Sequence, residues 1–231
     1  GFTRIMSPRD FDNPADLPEN RRADISRKKP LWLPASEARG EGLFFQFSEA
    51  KIQQWVKKNQ AFERKFELAH YSWKASKNIP NPEVGYPGIR FVLIHSFAHA
   101  LIRQLAIECG YTSASISERI YSRNPDDGQP MAGVLIYTSA PDSEGTLGGL
   151  CALGEPDKLN RHIQRALEKV SLCSSDPLCS EHEVGSGDTL HGASCHACSF
   201  LPETSCERGN KYLDRATLVP TLDQTDVAFF G

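Results

Sequence analysis

The hydrophobic pattern of this chain is strongest in one long segment, which runs from Ile89 to Cys109. Apolar residues fill most of it, and it contains no proline. Its length and the lack of proline predict a buried helix rather than a strand, and Gly110 is a suitable residue to end that helix. Because His95, His99, Arg103 and Gln104 interrupt the apolar run, the segment is not expected to cross a membrane.

Shorter apolar patterns precede this central helix. Gly42–Phe47 is a short apolar and aromatic run, which predicts a strand. A helix is expected to start at Ser48, because Ile52 and Trp55 begin an apolar face with helical spacing, and it can extend past Phe66. Prolines break the stretch that follows.

The second half of the chain predicts alternating elements. We expect a short helix over 113–119, then paired strands at Ile120–Tyr121 and Gly133–Thr138, which a turn-rich segment joins. A glycine-rich turn covers Asp142–Gly149, and an amphipathic helix runs from Glu155 to about Cys173. The predicted fold class is α+β, with helices packed on a small mixed or antiparallel sheet and a cysteine-rich zinc-binding loop near the C-terminus.

Composition narrows the range of functions. Apolar residues make up 39% and charged residues 24% of the 231 residues, which is ordinary for a globular protein, and the formal net charge is −3. A free-standing DNA-binding protein that relies on electrostatic attraction is normally basic, so this class is disfavoured. No apolar run approaches the ~20 residues of a membrane span, and no export signal is visible. We therefore expect a cytoplasmic location and no membrane partner.

The cysteines carry the clearest chemical signal. Five of the seven lie between residues 173 and 206, and two of these form a C-x-x-C step at Cys195 and Cys198. A C-x-x-C turn supplies two thiolate ligands, and a second pair completes a tetrahedral zinc site. The odd count disfavours a secreted disulfide framework. A redox dithiol is also disfavoured, because this C-x-x-C lies in a Gly/Ser-rich loop rather than at the start of a helix after a strand.

Five candidate ligands compete for four positions. Cys195 and Cys198 are the first choice, and Cys206 is the next. Cys173 and Cys179 compete for the last position, or both bind and Cys206 does not. Spacing alone predicts Zn²⁺ as the cofactor but does not choose between these sets.

Other polar residues suggest a second site. His95 and His99 are four positions apart, so they share one face of the central helix, but the Glu of a zinc hydrolase motif is absent after the first. Asp142 and Glu144 follow a strand, where carboxylates can hold a metal ion. Together these four residues define an alternative function, a metal-dependent nuclease or other hydrolase. The competing interpretation is that the histidines form buried hydrogen bonds and that the acids cap a turn.

The chain contains no phosphate-binding P-loop, because Thr146–Leu150 lacks the Lys-Ser/Thr pair that such a loop requires. We therefore expect no ATPase activity from this chain itself, and we expect more generally that it is not an enzyme.

Several motifs occur in order along roughly residues 89–220. They are Ile94–Ile102, Ser117–Tyr121, Gly133–Tyr137, Asp142–Leu150, Cys195–Cys198, Leu201–Glu207, Asn210 and Leu213–Arg215. This set resembles the helicase-associated zinc-binding domain of unknown function in the DrmB family of the DISARM anti-phage system. More distantly, it is similar to the C-terminal zinc-binding domain of MrfA-type DNA-repair helicases.

The resemblance implies a role beside a superfamily-2 helicase or translocase subunit, with DNA reached through the complex. It implies a structural zinc bound by the cysteine group Cys173, Cys179, Cys195, Cys198 and Cys206, and it assigns no catalytic residue. The expected organisation is an N-terminal extended and helical segment over 1–88, which ends a preceding domain, and the zinc-binding domain over 89–231. The predicted function is thus a non-catalytic zinc-binding accessory domain that helps a translocase engage DNA in anti-phage defence. A scaffold that contacts only proteins is the third alternative, and the net charge favours it.

Overall fold

The computed structural model describes residues 27, 28, 31, 32, 40–110, 112–138 and 149–230. In these residues three strands and five α-helices occur. In chain order they are β1 (Gly42–Gln46), α1 (Glu49–Lys58), α2 (Gln60–Ser76), α3 (Ile89–Cys109), β2 (Ile116–Tyr121), β3 (Gly133–Thr138), α4 (Gly149–Leu153) and α5 (Pro156–Ser171).

The sheet is antiparallel, with the strand order β1-β3-β2. The predicted pairing of Ile120 with the β3 segment is confirmed, because it lies opposite Val134. The predicted helix over 113–119 is wrong. Ser113–Ser115 form one 3-10 turn, and the strand already begins at Ile116. Ile116 and Ile120 are buried and Arg119 is exposed, and antiparallel pairing with β3 along the whole strand overrides the weak helical signal.

The central helix α3 has the predicted bounds and forms the middle of the core. Every position from Ile89 to Ile102 is buried, as expected for a helix that is apolar on all sides. The helix packs on β2 and β3 on one side and on α5 on another. Gly110 ends it in the left-handed conformation, with φ 70°, which glycine adopts without steric cost.

The N-terminal helical region is two helices rather than one. A break at Asn59 separates α1 from α2, and the Asn59 side-chain amide donates to the Trp55 carbonyl oxygen at 2.9 Å. Arg90, which is 2% exposed, connects α3 to this region by an ion pair with Glu49 and by hydrogen bonds to two carbonyl oxygens of the β2–β3 connection.

The predicted amphipathic helix is confirmed as α5. Its buried residues His162, Ala166 and Val170 repeat at every fourth position, and the helix packs on α3. In the segment after α5, residues 172–214, the only helical element is one 3-10 turn at Ser186–Asp188. Other interactions must therefore order this segment.

Residues before and after the predicted boundary at residue 88 contact each other. Strand β1 lies beside β3, and the Trp55 indole donates to the Val227 carbonyl oxygen at 2.6 Å. The division into 1–88 and 89–231 remains a prediction. Within the described ranges, no helix combines the length and the apolar character that crossing a membrane requires.

Candidate metal centres

Four of the five predicted cysteine ligands converge in the segment after α5. Cys173, Cys179, Cys195 and Cys198 place their sulfur atoms within 4.8 Å of one another, and we call this group the four-cysteine cluster. The sulfur–sulfur distances are 3.5 Å for Cys173–Cys195, 3.7 Å for Cys179–Cys198 and 3.8 Å for Cys195–Cys198.

These distances fit one tetrahedral metal ion. Four sulfur atoms at about 2.3 Å from a zinc ion lie about 3.8 Å from one another, whereas a disulfide requires about 2.05 Å. All four thiols are free. The four-cysteine cluster therefore has the donor set and the size of a structural zinc site.

Polar hydrogens already point at the sulfur atoms. The Ser175 N–H donates to the Cys173 sulfur at 3.4 Å, and the Ser199 hydroxyl donates to the Cys198 sulfur at 3.3 Å. The hydrogen bond from the Cys179 thiol lowers the pKa of Cys198 to about 5 and raises that of Cys179, so the two sulfur atoms share one proton in this arrangement. Such donors stabilise thiolates, which are the form of cysteine that binds zinc.

Side chains of helix α3 hold the C-x-x-C turn by hydrogen bonds. The Arg103 guanidinium donates to the carbonyl oxygens of Ala197 at 2.7 Å and Phe200 at 3.0 Å. The His99 ring donates from Nδ1 to the Ser199 carbonyl oxygen at 2.9 Å. Side chains of α3 thus donate hydrogen bonds to the backbone carbonyl oxygens of this turn.

A buried ion pair anchors the other side of the cluster. Arg215, which is 1% exposed, pairs with Asp176 and donates to the carbonyl oxygens of Val170 at 2.9 Å and Ser171 at 3.0 Å, which end α5. Asp176 in turn accepts from the Cys173 N–H at 2.9 Å. The first cysteine of the cluster is therefore fixed to the end of α5.

Cys206 lies in a different place from the other four cysteines. It is 1% exposed, and its sulfur lies 3.1 Å from His95 Nε2 on α3. With His99 and Glu118 these residues form a second group of metal-ligand type, also within 4.8 Å of one another, which we call the His-Glu-Cys cluster. Cys173 and Cys179 therefore lie with Cys195 and Cys198, and Cys206 lies apart from them, while the set of cysteines that binds zinc stays a prediction.

Charge inside the His-Glu-Cys cluster is balanced by its own members. Burial lowers the pKa of His95, but Glu118 and Cys206 raise it well above its usual range. Burial likewise raises the pKa of Glu118, but the two imidazoles hold it well below its ordinary value. Against the effect of burial, the charge of His95 and its hydrogen bond lower the pKa of Cys206 to about 6.

The second site predicted from sequence is only partly described. His95 and His99 lie together, with their ring centroids 4.5 Å apart. Asp142 and Glu144 fall outside the described residues. Among the described residues, the carboxylate beside the histidines is Glu118, which was not a candidate in the sequence analysis.

A signal for Glu118 was present in the sequence. It lies between Ile116 and Ile120 at alternate positions, so all three side chains point to the sheet face that α3 covers. A carboxylate at an inward strand position has to meet a partner in the core.

The chain matches a known family in this region. The family described as "MrfA Zn-binding domain" matches residues 97–199, a range that contains the whole four-cysteine cluster. A DISARM protein DrmB from Bacillus paralicheniformis is 44% identical over 202 residues. The chain is thus similar to DrmB, and its residues 97–199 resemble the MrfA Zn-binding domain.

The similarity to DrmB covers 86% of this chain but 35% of the relative. The chain therefore spans about a third of the length of that curated relative. The family match ends at residue 199 and begins at residue 97, so His95 and Cys206 of the His-Glu-Cys cluster lie just outside it.

Proposed function

We propose that this chain is a non-catalytic accessory part of a DISARM-type anti-phage system, in which a zinc ion in the four-cysteine cluster stabilises a surface for a partner. The observation that carries the proposal is the tetrahedral spacing of Cys173, Cys179, Cys195 and Cys198 within the region that matches the MrfA Zn-binding domain. All four ligands come from the protein, which is typical of structural rather than catalytic zinc.

We propose a superfamily-2 helicase or translocase subunit as the partner, with DNA reached through that complex in the cytoplasm. The MrfA description of the matching family and the similarity to a DISARM protein support this partner. The net charge of −3 supports indirect rather than independent DNA binding.

The hydrolase alternative has less support. His95 and His99 are 0% exposed and Glu118 is 3% exposed, so substrate cannot reach the cluster in this conformation. Asp142 and Glu144 lie outside the described residues and add no support. The described fold therefore favours a structural role for the two histidines.

Association with the translocase is expected to depend on the four-cysteine cluster. Cys198→Ser removes one ligand, so the variant should lose its zinc and co-purify with the translocase subunit at least ~10-fold less, because the ordered surface is lost. Cys151→Ser is the matched control, because Cys151 is an exposed free thiol on α4 outside both clusters. Co-expression, affinity purification and quantification of both subunits provide the measurement. Undiminished association of a zinc-free variant would contradict the proposal.

The purified protein is also expected to hydrolyse no ATP, because it lacks a P-loop. A phosphate-release assay with and without DNA measures this activity. Turnover that follows this chain through two purification steps and persists after removal of any helicase would overturn the expectation.

A further inference from the structure

The His-Glu-Cys cluster has no part in the proposed function, yet it collects four ligand-type side chains in the core. They come from three separate parts of the chain, namely α3, β2 and the segment after the C-x-x-C turn. His95 and His99 are 0% exposed, Cys206 1% and Glu118 3%. Burying four titratable groups is costly unless their charges and hydrogen bonds are matched, so the contacts among them are informative.

Two backbone carbonyls fix the orientation of both imidazoles. His95 Nδ1 lies 3.2 Å from the Tyr212 carbonyl oxygen, and His99 Nδ1 lies 2.9 Å from that of Ser199. A carbonyl oxygen accepts hydrogen bonds and cannot donate them, so each Nδ1 carries the hydrogen. In a neutral imidazole the Nε2 lone pair then points into the cluster, which is the arrangement that metal-binding histidines adopt.

When both imidazoles are neutral, the groups that meet inside the cluster are all acceptors. His95 Nε2 lies 2.8 Å from Glu118 Oε1, and His99 Nε2 lies 3.4 Å from the same oxygen. Among the described residues, neither His99 Nε2 nor Glu118 Oε2 has a hydrogen-bond partner, although both are fully buried. Lone pairs that converge at these distances need either a proton on a histidine or a metal ion between them.

Cys206 is prepared to act as a thiolate. Its sulfur accepts backbone hydrogen bonds from the Arg208 N–H at 3.4 Å and the Asn210 N–H at 3.2 Å. In the four-cysteine cluster, the Cys173 sulfur accepts a backbone hydrogen bond from the Ser175 N–H, and the Cys198 sulfur accepts one from the Cys195 N–H. Backbone N–H groups therefore donate to cysteine sulfur atoms in both clusters.

We propose that His95, His99, Glu118 and Cys206 bind a second zinc ion, separate from the one in the four-cysteine cluster. The four donors lie within 4.8 Å of one another, so one ion can reach all of them. Nitrogen, oxygen and sulfur donors together suit a borderline ion such as Zn²⁺. One divalent cation also neutralises one carboxylate and one thiolate, which leaves the buried site without net charge.

The proposed site is structural. All four positions are filled by protein side chains, and burial leaves no opening for a substrate. Its effect is to join helix α3, strand β2 and the segment around Cys206 at one point.

The metal content and ligand shell of the unaltered protein test the proposal directly. We expect about two zinc ions per chain by elemental mass spectrometry. X-ray absorption at the zinc edge should give an average shell of about 2.5 sulfur and about 1.5 nitrogen or oxygen atoms, because a four-sulfur site and a mixed site contribute equally. One zinc per chain with a pure sulfur shell would overturn the second site while leaving the proposed function intact. One zinc with a mixed shell would support this site and count against the four-cysteine site.

A conservative variant of Glu118 distinguishes a metal site from a hydrogen-bonded network that shares protons. Gln in place of Glu118 keeps the shape and can donate a hydrogen bond to His95, so a proton network would tolerate Glu118→Gln. A metal site would lose its anionic oxygen, and we expect zinc to fall from about two to about one per chain. Cys151→Ser should keep both ions. A folded Glu118→Gln protein that retains two zinc ions would contradict the proposal, and if the variant fails to fold, the count and shell of the unaltered protein still decide.

Discussion

Cys195→Ser is expected to unfold the segment from residue 172 to 199, which contains the four-cysteine cluster, while the helix–sheet core and the His-Glu-Cys cluster stay folded. The segment contains little regular structure, and the four-cysteine cluster brings its distant parts together. Structural zinc binding supplies roughly 10 kcal/mol or more toward ordering such a segment. Hydrogen exchange followed by mass spectrometry should show loss of amide protection across 172–199 by at least about 100-fold, with α3 and the segment around Cys206 still protected.

Cys151→Ser again serves as the control, since it removes a thiol that belongs to neither cluster. Treatment of the unaltered protein with a strong zinc chelator should reproduce the loss of protection. A Cys195→Ser protein without zinc whose loop amides remain protected would show that packing alone orders the loop.

Arg215→Met is expected to destabilise the protein by about 3–5 kcal/mol. Arg215 and its partner Asp176 are both buried, with side chains 1% and 8% exposed. The substitution leaves a buried carboxylate without its counter-charge and two carbonyl oxygens at the end of α5 without a donor. The free energy of unfolding, measured by denaturant titration of the zinc-bound protein, reports the loss.

Arg165→Met is the matched control on α5. Arg165 pairs with Glu108, but the two side chains are 49% and 30% exposed, so the change should cost less than about 1 kcal/mol. Equal destabilisation by both variants would mean that burial does not set the strength of the Arg215 pair.

Sequence reasoning was most successful where one physical signal dominated. The segment Ile89–Cys109 is apolar on nearly every side, and only a buried helix satisfies that pattern over such a length. The amphipathic period of α5 was equally clear. The short strand β2 was misjudged because six residues give little periodicity, and pairing with β3 decides its conformation.

The division of the cysteines into two groups could not be predicted from spacing. Cys206 lies eight positions after Cys198, which is compatible with the same zinc site. Its sulfur instead meets His95, because the segment after the C-x-x-C turn passes over α3 and positions residues 206–212 beside it. A ligand set drawn from residues 95, 99, 118 and 206 depends on tertiary packing that no local motif encodes.

The hydrogen bond from the Trp55 indole to the Val227 carbonyl has a consequence for how the chain folds. It joins residues 172 positions apart, and the His95–Tyr212 bond joins residues 117 positions apart. Contacts between such distant parts of a chain form slowly, since the ends of a long loop must meet first. During synthesis, part of the apolar surface of helix α3 therefore stays exposed until the C-terminal residues leave the ribosome, because Phe230 packs on Phe97 of this helix.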